Sequence, residues 1–114
     1  MTTTPEGHRP LTPVVFHVLL ALADGPRHGY AIMKQVEEDS GLAMGPGTVY
    51  GSLQRLEDSG WVRAGREDDR DARRGRLFHL TDEGRRALRL EAARITRLSR
   101  LDGVRDLVPD RAGP

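Results

Sequence analysis

The sequence predicts a mainly α protein with one small β-hairpin, and three observations carry that prediction. Apolar residues recur at helical spacing in four separate stretches, the pattern changes to short extended runs between Gly60 and Leu80, and proline, glycine and capping residues stand at the boundaries. At 114 residues, 37% hydrophobic and 31% charged, the chain has the size and composition of one globular domain with a single small core. No apolar run approaches the roughly 20 residues of a membrane span. The N-terminus lacks a basic segment followed by an apolar one, so neither a signal peptide nor a membrane is expected, and the cytosol is the expected compartment. With no cysteine, disulfides, thiolate metal sites and cysteine nucleophiles are excluded.

Residues 1–11 carry two prolines and three threonines and read as a flexible arm. Thr12 can cap and Pro13 can open the first helix, which runs through VVFHVLLALA to Asp24 and is stopped by Gly25-Pro26. This helix is apolar almost all round, which places it between its own core and a second subunit. The stretch from His28 to Asp39 is an amphipathic helix closed by Ser40-Gly41, with Glu37, Glu38 and Asp39 at the unfavourable negative end of its dipole.

After a turn of Gly41 to Gly45, the helix from Pro46 to Ser59 is the one around which the chain is organised. Pro46 suits the first helical position and Gly60 the residue past the end, where a positive φ is needed. Val49, Leu53 and Leu56 form its buried stripe. Gly47, Thr48, Gly51, Ser52 and Arg55 turn outward, with Tyr50 and Gln54 on the flanks. A merely solvated helix would carry good helix formers there. Glycines weaken a helix, so their presence points to close approach of a partner surface, with the positive helix end favouring phosphate. The two helices and their glycine-containing turn form a helix-turn-helix.

Beyond Gly60, Trp61 to Ala64 and Arg76 to Leu80 can pair as a hairpin, and a hairpin following a helix-turn-helix is a wing. Its connection EDDRDARRG is too long for a tight turn and should be mobile at the tip. Residues 63–76 hold six arginines against four carboxylates, so the basic excess lies in the wing although the net charge is only +1. Arg70, Arg73, Arg74 and Arg76 could follow a phosphate backbone or enter a minor groove; a solvated loop whose acids cancel the field is the alternative.

Thr81 caps a last helix with Asp82 and Glu83 in its first turn, continuing to about Leu101. Leu88, Ala92, Ile95, Leu98 and Leu101 form a long apolar seam that calls for a partner helix. Together with Val15, Phe16 and Leu19 of the first helix, these are the candidate dimer interface. The organisation expected is therefore an arm at 1–11, a winged helix-turn-helix at 12–80, a dimerisation helix at 81–108 and a frayed tail at 109–114.

Four segments stand in one order: His28-Gly29-Tyr30-Ala31-Ile32, Pro46-Gly47-Thr48-Val49-Tyr50 with Leu53 and Arg55-Leu56-Glu57, Gly60-Trp61-Val62, and Leu80-Thr81-Asp82-Glu83-Gly84-Arg85-Arg86. This arrangement resembles the PadR family of winged-helix transcriptional regulators, in its short form with a single C-terminal helix. The resemblance implies a homodimer paired through the first and last helices and binding to double-stranded DNA, usually as a repressor that occludes a promoter. Two copies of the Pro46 to Ser59 helix would enter successive major grooves about 34–36 Å apart, so the operator would be an inverted repeat. Thr48, Ser52 and Arg55 are the base-edge candidates, with Gly47, Gly51 and Gln54 beside them. Tyr30 and Tyr50, which match tyrosines of the family's motifs, would bridge core and phosphate. Some members bind flat drugs or phenolic compounds between subunits. Here the last helix carries no aromatic residue, so the chemistry of any small-molecule effector is not written in it.

Other classes fit less well. Gly45-Pro46-Gly47 lacks the Gly-Lys-Ser/Thr ending of a phosphate loop and does not follow a strand. The four histidines include no i, i+4 pair, and no nucleophile-elbow signature exists, so no metal, cofactor or enzymatic activity is expected. The alternative from a different class is a winged helix serving as a protein-interaction or RNA-binding module without operator recognition.

Overall fold

A computed structural model describes residues 8–67 and 75–108. The element order is α1 (Pro13–Ala21), β1 (Arg27–His28), α2 (Gly29–Ser40), α3 (Pro46–Asp58), β2 (Val62–Glu67), β3 (Arg76–Leu80), α4 (Asp82–Ser99) and α5 (Asp102–Leu107). Helix ends follow the chemistry expected of them. Thr12 Oγ1 accepts the Val15 N–H at 3.3 Å above Pro13. Gly41 (φ 72°) closes α2 and Gly60 (φ 81°) follows α3, both in the left-handed region that glycine enters without a Cβ penalty. Thr81 Oγ1 accepts the Gly84 N–H at 3.0 Å and donates to the Gly60 carbonyl at 2.7 Å, so one hydroxyl caps α4 and ties it to the end of α3.

The wing is a hairpin of β2 and β3 with Val62 opposite Leu80, Arg63 opposite His79 and Ala64 opposite Phe78. It has one strand more than expected. Arg27 and His28 leave the helical region and pair with Phe78 and Leu77, giving a three-stranded antiparallel sheet in the order β1-β3-β2. That strand also sets where α1 and α2 meet: α1 ends at Ala21, three residues before Asp24, and a turn carries the chain to β1.

The core lies where α1 packs against α2, α3 and α4. Val18, Leu19 and Leu22 of α1 meet Ile32 and Val36 of α2, Val49, Leu53 and Leu56 of α3, Val62 and Leu88. Removal of each such side chain from water contributes roughly 1.5–3 kcal/mol, which is why the apolar stripes select this arrangement. Two candidate dimer residues are corrected here. Leu19 is fully buried and Leu88 is 6% exposed in the single chain, so both serve its own core. Val15 and Phe16 are half-buried, partly against that same core, whereas Ala92, Ile95 and Leu101 remain exposed and Leu98 half-buried. On α1 the outward apolar residue is Leu20, 38% exposed.

The reading of 1–11 as a loose arm also needs correction for its last residues. Glu91, on the core side of α4, is 1% exposed. Its carboxylate accepts the Leu11 N–H at 2.9 Å and two guanidinium N–H bonds from Arg94 at 2.7 and 2.9 Å. His8 Nε2 stands 3.2 Å from the same carboxylate, which has only lone pairs to offer, so the nitrogen is the donor. Arg94, ahead of Leu11 and His8, holds the Glu91 carboxyl down at about 2 against the opposing effect of burial. Residues 8–11 are thus pinned to α4.

Candidate nucleic-acid interface

The outward surface of α3 is built by what its stripe leaves over. Val49, Ser52, Leu53 and Leu56 are buried. Gly47, Thr48, Gln54 and Arg55 are exposed, with Tyr50 45% exposed and Gly51 half-buried. Ser52 is therefore corrected: at 1% exposure it cannot reach a base edge, because positions 49, 52, 53 and 56 share one face of the helix. It acts instead from beneath, as Arg55 Nη2 donates to Ser52 Oγ at 3.4 Å. Arg55 is the exposed cation of this face, leaning on a buried hydroxyl. Gln54 donates to Asp58 at 3.5 Å, a long bond that a better acceptor can replace.

The two glycines have no internal reason to be glycine. A Cβ built at Gly47 or at Gly51 meets nothing within 4 Å, and neither has a positive φ. Alanine would give a more stable helix by about 1 kcal/mol at each position. Gly45 leads into the helix with no capping side chain; its carbonyl accepts the Thr48 and Val49 N–H groups at 3.1 and 3.3 Å and Pro46 has no N–H, so the Gly47 N–H is the one left without a partner at the positive end of the dipole. The arrangement offers an anion-attracting helix end, a smooth patch for close approach, and a hydroxyl and a guanidinium beside it.

Gly29 differs from these two. A Cβ there would lie 2.5 Å from the Tyr50 hydroxyl oxygen, so Gly29 exists to let the ring of Tyr50 cross the start of α2. Tyr30 stands next to it, 61% exposed, with Lys34 Nζ 5.8 Å from its ring centroid. The tyrosines thus occupy a common edge where α2 begins and α3 turns outward. Of the wing arginines, Arg70, Arg73 and Arg74 lie outside the described residues, as does the tip. Arg76 is described: its Nε donates to the Gly65 carbonyl at 3.3 Å and its Nη2 lies 3.9 Å from Glu57 of α3, leaving half the side chain in solvent. Glu57 cancels part of its charge, so Arg76 holds the wing to α3 as well as facing outward. Among the described residues no group of three or more His, Asp or Glu could hold a metal ion, and no helix is long and apolar enough to cross a membrane.

A recognition-type helix, a capped turn before it and a wing after it are joined in one fold, and comparison with known proteins decides the family. The model of the PadR-like family of transcriptional regulators matches residues 18–90, which is more than half of the chain. The chain belongs to the PadR-like family. Its fold agrees: a PadR family regulator from Clostridium difficile superposes with a TM-score of 0.67 at 25% identity, over 77% of this chain and 95% of that one. RosR of H. salinarum superposes at 0.68 with 27% identity, over 88% of both chains. A protein of transposon TN4556 from Streptomyces fradiae is 50% identical over 82 residues. That match takes in 72% of this chain but only 23% of the 37.1 kDa relative, so this chain spans about a quarter of that protein. The PadR-like family is a family of transcriptional regulators.

Proposed function

We propose that this PadR-like protein is a sequence-specific DNA-binding regulator that acts as a homodimer on an inverted-repeat operator, most simply as a repressor that occludes a promoter in the cytosol. The observation that carries this reading is the outward face of α3, where Gly47 and Gly51 give up helix stability without any contact inside the chain to explain it. A DNA backbone at major-groove distance explains both, since only a side-chain-free surface admits it so closely. Thr48 and Arg55 then reach base edges, Arg55 by a bidentate contact to guanine worth about 1–3 kcal/mol of discrimination. Tyr30, Tyr50, Gln54 and the wing arginines, Arg76 with Arg70, Arg73 and Arg74, bind the flanking backbone.

Pairing follows from the seam left uncovered on α4. Ala92, Ile95 and Leu98 continue the helix's apolar face past the point where the core ends, and Leu101 follows in the bend between α4 and α5, where the single helix expected to about Leu101 is broken; Ile95 and Leu101 stand 41% and 46% exposed. A second α4, flanked by Leu20, Val15 and Phe16 of α1, covers them. No ring lies on this seam, so a ligand held by aromatic stacking between two such helices is not part of the reading.

The test is footprinting on the DNA upstream of the gene at two salt concentrations, with Arg55→Ala alongside. The expected result is a protected inverted repeat, a salt slope near −0.9 per neutralised phosphate, and relaxed specificity at one base pair in each half-site for the variant. A dimer that protects nothing at low salt would shift the reading to a protein-interaction or RNA-binding winged helix.

A further inference from the structure

The solvent face of α4 carries a charge pattern that neither the core nor the proposed dimer seam uses. Arg86, Arg89, Arg97 and Arg100 are all exposed, and at 100° per residue they fall within one narrow sector of the helix. That sector lies opposite Ile95, so pairing of two α4 seams leaves it free. From Arg86 to Arg100 the stripe runs about 21 Å along the axis. Of the helix's three acids, Asp82 shares the sector and exposed Glu83 flanks it, both in the first turn, while Glu91 is buried on the far side. Among the described residues none of the four arginines makes an ion pair. An ordinary solvated helix face interleaves the two signs, because opposite charges four residues apart stabilise it.

Buried Gly84, Ala87 and Leu88 turn toward the core, so the arginine stripe, on the other side of the helix, points away from that core. A straight, single-sign row of guanidinium groups matches a linear polyanion, since guanidinium is the side chain that pairs bidentately with phosphate. The acidic end of α2 on another copy matches less well: Glu37, Glu38 and Asp39 are consecutive, so they span about 3 Å of axis and point in three directions.

We infer that the outer face of α4 is a second, sequence-independent binding surface for a nucleic-acid phosphate backbone, which lets an operator-bound dimer hold another DNA segment. This rests on the proposed DNA binding by α3, and the two are separable by experiment. An operator duplex is immobilised, saturated with the full-length protein and washed. Retention of a second, labelled duplex of unrelated sequence is then measured at about 50 mM and 200 mM salt, where backbone contacts differ most. The variant Arg86→Gln, Arg89→Gln, Arg97→Gln, Arg100→Gln keeps good helix formers at all four positions, and its melting curve is recorded to show that it folds.

The expected result is retention of the second duplex at low salt, lost at high salt and reduced more than about tenfold in the variant, with the operator footprint of the variant intact. Failure of the wild-type protein to retain the second duplex while it protects the operator overturns the inference and leaves the α3 reading standing. Equal retention by the variant overturns it as well. If the four substitutions change only self-association of dimers, the stripe serves an acidic protein surface and the inference is likewise wrong.

Discussion

Replacing Glu91 with glutamine keeps the shape of the clasp on α4 and removes its charge. In the folded chain the carboxyl is held at about 2 instead of the ordinary 4.5, with the Arg94 guanidinium as the main cause. That difference corresponds to about 3 kcal/mol at ~1.4 kcal/mol per pH unit. Arg94 is partly open to water, its side chain 23% exposed, so screening lowers the figure and a range of about 1–3 kcal/mol is the working expectation. The sign follows from the folded carboxyl being the stronger acid. Its stabilisation is fully present above pH 4.5 and is lost as pH falls toward 2. Thermal melts at fixed protein concentration, from pH 7 down to 3, are the assay. Glu91→Gln should lower Tm at pH 7 by roughly 5–15 °C for a domain of this size, and the gap to wild type should narrow as pH drops. Equal melting temperatures at pH 7, or two curves that fall in parallel below pH 5, would refute the idea that this carboxylate holds residues 8–11 to α4.

Three further outcomes follow from the geometry. Gly51→Ala should raise stability by up to about 1 kcal/mol in a denaturant titration while weakening operator binding, and a variant that gains stability with unchanged affinity would remove the close-approach argument. Gly84→Ala puts a methyl group into the Trp61 carbonyl and against Leu80, so it should cost more than about 2 kcal/mol or prevent folding, visible by circular dichroism. Ile95→Glu places a charge in the exposed seam of α4 and should yield a folded monomer by sedimentation with weakened operator binding; a dimer of undiminished strength would move the interface elsewhere.

Helix boundaries were the part most open to reading from the sequence, because Pro46, Gly41, Gly60 and Thr81 act through local backbone chemistry that no distant contact overrides. Residue type misleads where position along a helix decides burial. Ser52 looks like a surface residue, yet it stands three residues after Val49 and four before Leu56, and spacing sends it inward. Glu91 follows the same rule: it occupies the stripe between Leu88 and Ile95, a place where a carboxylate survives only with donors around it. The seam through Leu88, Ile95 and Leu101 is continuous in sequence, but its first turns are consumed by the chain's own core, a division that depends on where α1 lies. The strand β1 has two residues, too few to show a period, and its partner lies about fifty residues away.

That short strand alters how the domain must assemble. Because the order is β1-β3-β2, the strand made last stands in the middle, and both neighbours wait for it with unpaired backbone. During synthesis α1, α2 and α3 can collapse early on local contacts, whereas the sheet has no two-stranded precursor until Arg76–Leu80 has emerged. Attachment of β1 then requires closure of the loop from Arg27 to Phe78, a long-range step that costs more entropy than closing the β2–β3 hairpin. Substitutions that weaken β3 will slow this step and prolong the time for which two open strand edges are available to neighbouring chains.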